Sequence, residues 1–257
     1  MDAAVLAALP IDATAFLVLF TRIGAVLMLL PAFSDDSVAP QIRLLMALGF
    51  TAALYGMLEP RVAGVVASDG MNLPMLVIGE FLTGLALGMI VKMMFSAIAI
   101  AGALISQQIG LSMAMMFDPS MGGQSALIGR LLGMAALLVC MAMGVHHLWI
   151  GAIVRSYEAF PVGGLPPAAD FAQLAIRVTS QAMSLGVSLA APLILYGSLF
   201  NIGLGLAARV APSLQVFFIA QPLNLLLGMT VFATSIGAIL MAFSTAMADF
   251  MNNGWGV

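Results

Sequence analysis

Charged and turn-forming residues cut the chain into long apolar runs. Ala13 to Leu30 carries only Thr14, Thr21 and Arg22 as polar positions, and Pro31 with the turn Ser34-Asp35-Asp36-Ser37 ends it. Leu44 to Leu58 is uncharged and meets a breaker at Glu59-Pro60-Arg61. Leu73 to Val91 holds one charge, Glu80, and Met93 to Phe117 holds none. Leu131 to Val154 is uncharged and contains His146 and His147; Val178 to Ala208 and Val210 to Ala248 are also uncharged. The runs are continuous, without the short alternating segments of a membrane barrel. A hydrocarbon core of about 30 Å takes roughly 20 helical residues to cross. The pattern therefore predicts an all-α membrane protein with about six long, kinked apolar helices arranged in hairpins.

Two runs have lengths that do not suit a single span. Leu44 to Leu58 is short. Val210 to Ala248 would measure roughly 58 Å as a straight helix at about 1.5 Å per residue. Pro212 and Pro222 in its first part are expected to kink or break it. Pro74, Pro192, Gly203 and Gly205 interrupt other runs. Broken backbone at membrane depth survives only against protein or a water-filled cavity, so the pattern predicts a subunit packed among partner helices. The stretch from Arg155 to Arg177 holds Pro161, Gly163, Gly164, Pro166 and Pro167, all turn formers. It divides the chain into an N-terminal four-helix part (1–154), a connector (155–177) and a C-terminal helical hairpin (178–257).

Composition sharpens this. Hydrophobic residues make up 63% and charged residues 7%, against roughly 45–50% and about 25% in a soluble domain. Mean hydropathy is +1.14. So few charges exclude a cytosolic enzyme and a disordered chain. The eight Lys and Arg residues are spread along a chain of net charge −3, which leaves no basic patch for nucleic acid. They also give only a faint orientation, with the N-terminus outward and Arg43 cytoplasmic. No basic region precedes the first apolar run, which is expected to be retained. Cys140 is the only cysteine, so disulfide frameworks and cysteine-based metal sites are excluded.

Enzyme signatures fail: there is no H-E-x-x-H, G-x-S-x-G or Walker A sequence. His146 and His147 are adjacent, about 100° apart on a helix, and do not form an i,i+4 metal pair. No catalytic centre, metal or cofactor is expected. Glu80 and Lys92 are charges in apolar surroundings, which makes them functional candidates. They lie twelve residues apart and cannot pair on one helix, so each is expected at an interface end or against a partner subunit. With Asp118 they also allow an alternative, a proton-coupled secondary transporter. That class carries internal repeats, and none is visible here. Gly84 with Gly88, and Gly129 with Gly133, make G-x-x-x-G pairs suited to close helix packing.

The segment Ser106 to Ser125 is the most unusual. It holds Gln107 and Gln108, then Gly110, then Met113, Met115, Met116 and Met121 around Phe117-Asp118-Pro119, and Gly122-Gly123 closes it. Asp-Pro and Gly-Gly mark a break in the helix. Thioether side chains are flexible and re-pack against varied surfaces, as a deformable seal requires. In a chain with 21 methionines, an ordinary loop gives the same cluster.

Several further positions join this segment in a fixed order. Arg22, Pro31, Pro40 and Arg43 come first, then Gly79-Glu80 with Gly84 and Gly88, then Ala101-Gly102. Gln108-Ile109-Gly110 and Asp118-Pro119 follow, then Gly144, His146, His147, Ser156 and Pro161-Val162-Gly163. Arg209-Val210-Ala211-Pro212, Gln215-Val216-Phe217, Pro222 and Gly228 come last. In order and spacing the chain resembles the export-gate family of type III secretion, which comprises the flagellar FliR proteins and their injectisome counterparts. It departs at Gly144-Val145, where the family often has a double glycine, and at Asn224, where a basic residue often follows the late proline.

The resemblance implies a non-enzymatic subunit that joins several copies of FliP and FliQ, with FlhB and FlhA nearby, in a conical gate. The gate would sit at the flagellar basal body in the bacterial inner membrane and pass unfolded flagellar proteins. The four-helix part would be similar to one partner and the hairpin to the other. The resemblance further implies a plug over 106–122, framed by Gln108, Gly110, Asp118 and Pro119, with the methionines as sealing contacts. Gly79, Glu80, Gly84, Gly88, Arg209, Pro212 and Pro222 would serve helix packing and assembly.

Overall fold

The computed structural model describes residues 3–34, 38–66, 73–111, 125–164, 168–211 and 215–253. Among these residues there are seven helices and no strand. They are α1 (Ala3–Leu29), α2 (Pro40–Val66), α3 (Leu73–Ile109), α4 (Ser125–Ala142), α5 (Val145–Ala159), α6 (Ala168–Val210) and α7 (Val216–Asn252). Five are long and apolar enough to cross a membrane, and α4 with α5 make a sixth when taken as one bent span. The joint between them is Gly144, with a φ of 75°, a conformation that glycine adopts without a Cβ clash. The all-α membrane fold expected from the pattern is observed.

Several element lengths differ from the sequence expectation. α2 does not stop at Glu59-Pro60-Arg61 but runs through Pro60 to Val66. Proline removes one helical hydrogen bond, yet Leu58 and Val62 on either side are fully buried, and that packing holds the helix together across the gap. α3 joins two apolar runs through Lys92 into one helix of 37 residues, roughly 55 Å at about 1.5 Å per residue. A lone exposed lysine does not interrupt a helix, because its backbone hydrogen bonds are unaffected. α5 extends to Ala159 and α6 starts at Ala168, so helix enters the Pro/Gly-rich stretch from both sides. Pro192 and Pro222 are also accommodated inside helices.

The chain forms two compact units that interleave along the sequence. One comprises 1–94, 146–178 and 251–257; the other comprises 95–145 and 179–250. In the first, α1 supplies much of the core through Ala15, Val18, Leu19, Ile23 and Val26. α3 meets it through two glycines. A Cβ on Gly84 would lie 2.6 Å from the Arg22 carbonyl oxygen, and one on Gly88 would lie 2.7 Å from Leu29 Cβ. Gly84→Val is expected to cost about 1–3 kcal/mol by overpacking, towards the upper end because the obstacle is backbone. Thermal unfolding of the detergent-solubilised chain measures this.

The second unit is built the same way. Gly102 packs on the backbone of Gly129, and Gly186 faces Ala97 and Ile100. Phe95 and Phe243 meet edge to face at 5.2 Å. Cys140 is fully buried with its Sγ 3.6 Å from Ser244 Oγ, a packing position. Gly133, the other half of that glycine pair, has open space around it.

Candidate functional site

The first polar cluster lies in the unit containing α1 and α5. Arg22 on α1 and Glu80 on α3 are both fully buried. Arg22 Nε donates to Glu80 Oε2 at 2.6 Å and Nη2 donates to Oε1 at 2.8 Å, the two-pronged geometry that makes such pairs strong. Nη1 donates to the Ser156 carbonyl at 3.2 Å. The Tyr157 ring lies 4.1 Å from Arg22 Cζ, a cation–π contact. The Gly163 backbone N–H donates to the Glu80 carboxylate. Gly163 has a φ of 91°, and Gly79 sits where an added Cβ would be 3.4 Å from the Gly164 carbonyl oxygen. The left-handed Gly163 thus turns the chain after α5 back onto α3, where Gly79 lies against it.

Each charge in this cluster is compensated, and both are sealed from solvent. A buried charge is costly unless paired and hydrogen-bonded, and this pair is both. The arrangement ties α1, α3 and the end of α5 together; it offers no open acid or base. The expectation that Glu80 reaches an interface or a second chain gives way to a partner in its own chain. The signal was present in the sequence: Arg22 and Glu80 are charges of opposite sign, each alone in an apolar run.

The second cluster lies in the other unit, at the C-terminal end of α3. The last four carbonyls of a helix have no intrahelical partner, and a buried helix end has no free access to water to satisfy them. Here side-chain amides of α7 satisfy two of them and the carbonyl of Gly110 just beyond. Asn224 Nδ2 donates to the carbonyls of Gln108 (3.4 Å) and Ile109 (3.3 Å), and Gln221 Nε2 donates to that of Gly110 (3.3 Å). Tyr196 on α6 donates its hydroxyl to Asn224 Oδ1 at 2.8 Å. Gly110 has a φ of 86°, the left-handed residue that ends many helices. Gly197 and Gly228 provide the flat surfaces against which Gln108 and Ile109 rest, and Ile109 is fully buried.

Of the residues singled out in the plug, Gln107 is exposed and Gln108 and Gly110 are half-buried. Met113, Met115, Met116, Phe117, Asp118, Pro119 and Met121 lie outside the described residues, as does Pro212. Arg209 is exposed in the last turn of α6, where the helix dipole favours a cation. Pro222 is exposed inside α7. The rings of His146 and His147 lie 4.0 Å apart, tilted by 38°, and among the described residues no group of three or more potential ligands could hold a metal. Nothing favours a carrier built on Glu80, Lys92 and Asp118: Arg22 neutralises Glu80, Lys92 is exposed, and Asp118 lies outside the described residues.

Sequence reasoning missed Tyr157, Tyr196, Gln221 and the role of Asn224. Gln221, Asn224 and Gly228 fall at i, i+3 and i+7, one face of α7, in an otherwise apolar run. Two amides on one face of an apolar helix were the available signal.

The profile of the bacterial export proteins, family 1, matches residues 13–250. The chain belongs to this family. As a member of the bacterial export proteins it is 37% identical to the flagellar biosynthetic protein FliR of Caulobacter vibrioides, over 93% of this chain and 97% of that protein. It is 31% identical to the flagellar biosynthetic protein FliR of Bacillus subtilis, over 82% of each chain. It is also 28% identical to the Yop proteins translocation protein T of Yersinia pestis, over 81% of this chain and 80% of that one. Many positions that carry the resemblance to the export family fall in the two clusters: Arg22, Glu80, Ser156 and Gly163 in one, Gln108, Ile109, Gly110 and Gly228 in the other.

Proposed function

We propose that this chain is the FliR-type subunit of a flagellar type III secretion export gate, a non-enzymatic component that forms and seals the channel for unfolded flagellar proteins. The observation that carries this is the similarity to a flagellar FliR protein along nearly the whole length of both chains. The lower identity to the Yersinia translocation protein favours flagellar over injectisome use. The bacterial inner membrane at the flagellar basal body is the location this reading requires. FliP and FliQ are the subunits it would join, with FlhB and FlhA as neighbours. Residues 1–154 and 178–257 would act as two building blocks joined by 155–177, the first similar to one partner and the second to the other.

The physical task explains the chemistry. A hole wide enough for a polypeptide is too wide to select against ions, so the resting state needs a deformable closure. Residues 106–122 supply it in this reading, with methionines as adaptable contacts. Exposed apolar side chains along α6 and α7, such as Leu195, Leu199, Ile202, Leu206, Phe218 and Leu226, suit a helix surface covered by lipid and sister subunits. Purification in mild detergent tests the reading. The chain is expected to elute in a large complex with other membrane proteins. A monodisperse monomer that carries a small solute across vesicles would contradict it.

A further inference from the structure

We infer that Asn224, aligned by Tyr196, and Gln221 form a polar latch that holds the end of α3 between α6 and α7 and so sets how tightly the resting gate is closed. The inference rests on the sealing role proposed above, and it concerns positioning residues rather than the sealing surface.

Three features of the site support a latch over ordinary packing. Asn224 is 8% exposed on an apolar helix, and a buried amide there is costly unless its donors and acceptor are used. Its donors go to two carbonyls of α3 and its acceptor takes the Tyr196 hydroxyl, so its polar groups are committed to one joint. Gln221, one turn away, extends the same grip to Gly110. The bonds are side chain to backbone and span elements more than a hundred residues apart in sequence, with separations of 111 to 116. They can therefore be broken without unwinding either helix. The apolar contacts of Ile109 with Gly228 give the joint its place. The three long amide bonds, at 3.3 to 3.4 Å, give it a release threshold of modest height.

Side-chain hydrogen bonds between membrane helices average about 0.6 kcal/mol, close to a threefold change in an equilibrium. Asn224→Leu, which removes both of its bonds to α3 along with the one from Tyr196, is expected to raise release of the α3 end about tenfold. Tyr196→Phe, which only frees Asn224 to turn, is expected to raise it about threefold.

The test uses the assembled membrane complex and two readouts. Amide hydrogen exchange at residues 107–111 reports the latch directly and is expected to accelerate about tenfold in Asn224→Leu and about threefold in Tyr196→Phe. Resting ion conductance reports the seal and is expected to rise in the same order. A disulfide supplies the rescue. A Cβ on Gly197 would lie 3.2 Å from Gln108 Cβ, near the spacing of about 3.5–4.5 Å found in disulfides. Oxidising Gln108→Cys with Gly197→Cys in the Asn224→Leu background is expected to restore low conductance, and reduction to release it. Unchanged exchange in both single variants would overturn the latch. Exchange that accelerates while conductance stays at the wild-type level, in these variants and in Gly110→Asp, would leave the latch standing and remove the sealing role. Should Asn224→Leu fail to assemble, Tyr196→Phe decides the matter alone.

Discussion

Glu80→Ala is expected to destabilise the chain by about 3–5 kcal/mol, the usual cost of removing one partner from a buried ion pair. The reason is specific to this cluster. Without the carboxylate, the Arg22 guanidinium keeps only the Ser156 carbonyl and the Tyr157 ring, while Gly163 loses the acceptor for its N–H. The charge stays sealed in an apolar core with nothing to balance it. Arg22→Ala is expected to be as damaging, since it strands the carboxylate instead. The double variant Arg22→Met with Glu80→Leu is the diagnostic partner. Replacing a buried pair by apolar residues of similar volume is often neutral or stabilising, so the double variant is expected to recover most of the loss. The readout is the yield of assembled complex, followed by thermal unfolding in detergent. The single variants are expected to lower yield sharply, with surviving complexes conducting no more than wild type at rest. Undiminished yield in Glu80→Ala would show that the pair is dispensable for assembly.

Gly110→Asp is expected to make the resting assembly leak small ions. Two effects add. A side chain at a φ of 86° is strained, at a cost of roughly 1–2 kcal/mol, and its Cβ would displace the Gln221 and Asn224 amides. A carboxylate taken out of water into an apolar closure costs roughly several kcal/mol more. Since about 1.4 kcal/mol is tenfold in an equilibrium, the closed arrangement is expected to lose its advantage by more than about a hundredfold. Gly110→Ala separates the terms, because it carries the strain without the charge, and is expected to leak far less. Conductance across vesicles that hold the assembled complex measures both variants. Wild-type conductance in Gly110→Asp, with assembly intact, would count against a seal at this place.

The architecture was legible where apolar runs are long. The five span-length helices follow from long, nearly uncharged apolar stretches, because in a membrane the helix is the one way to satisfy a single segment's backbone. Breaks were less legible. Pro60 reads as a terminator, yet neighbouring packing carries α2 past it; Lys92 reads as a boundary, yet it sits exposed within α3. Local signals of this kind yield to tertiary contacts that no window of sequence contains. The candidate sites were half legible. Glu80 stood out as a charge in an apolar run, but its partner lies 58 residues upstream, and spacing along one helix says nothing about such a pairing. Gln108 and Gly110 stood out as part of an unusual segment. Their anchors Gln221 and Asn224 did not, since two amides in a long apolar helix carry meaning only once α3 lies against them.

The most direct measurement is a structure of the chain within its membrane complex, in the closed state. Residues 107–111 are expected at the central axis, with the amides of Gln221 and Asn224 on their outer side and sister subunits covering the exposed faces of α6 and α7. Finding residues 107–111 at the periphery, facing lipid and remote from any channel, would contradict the proposal at its root.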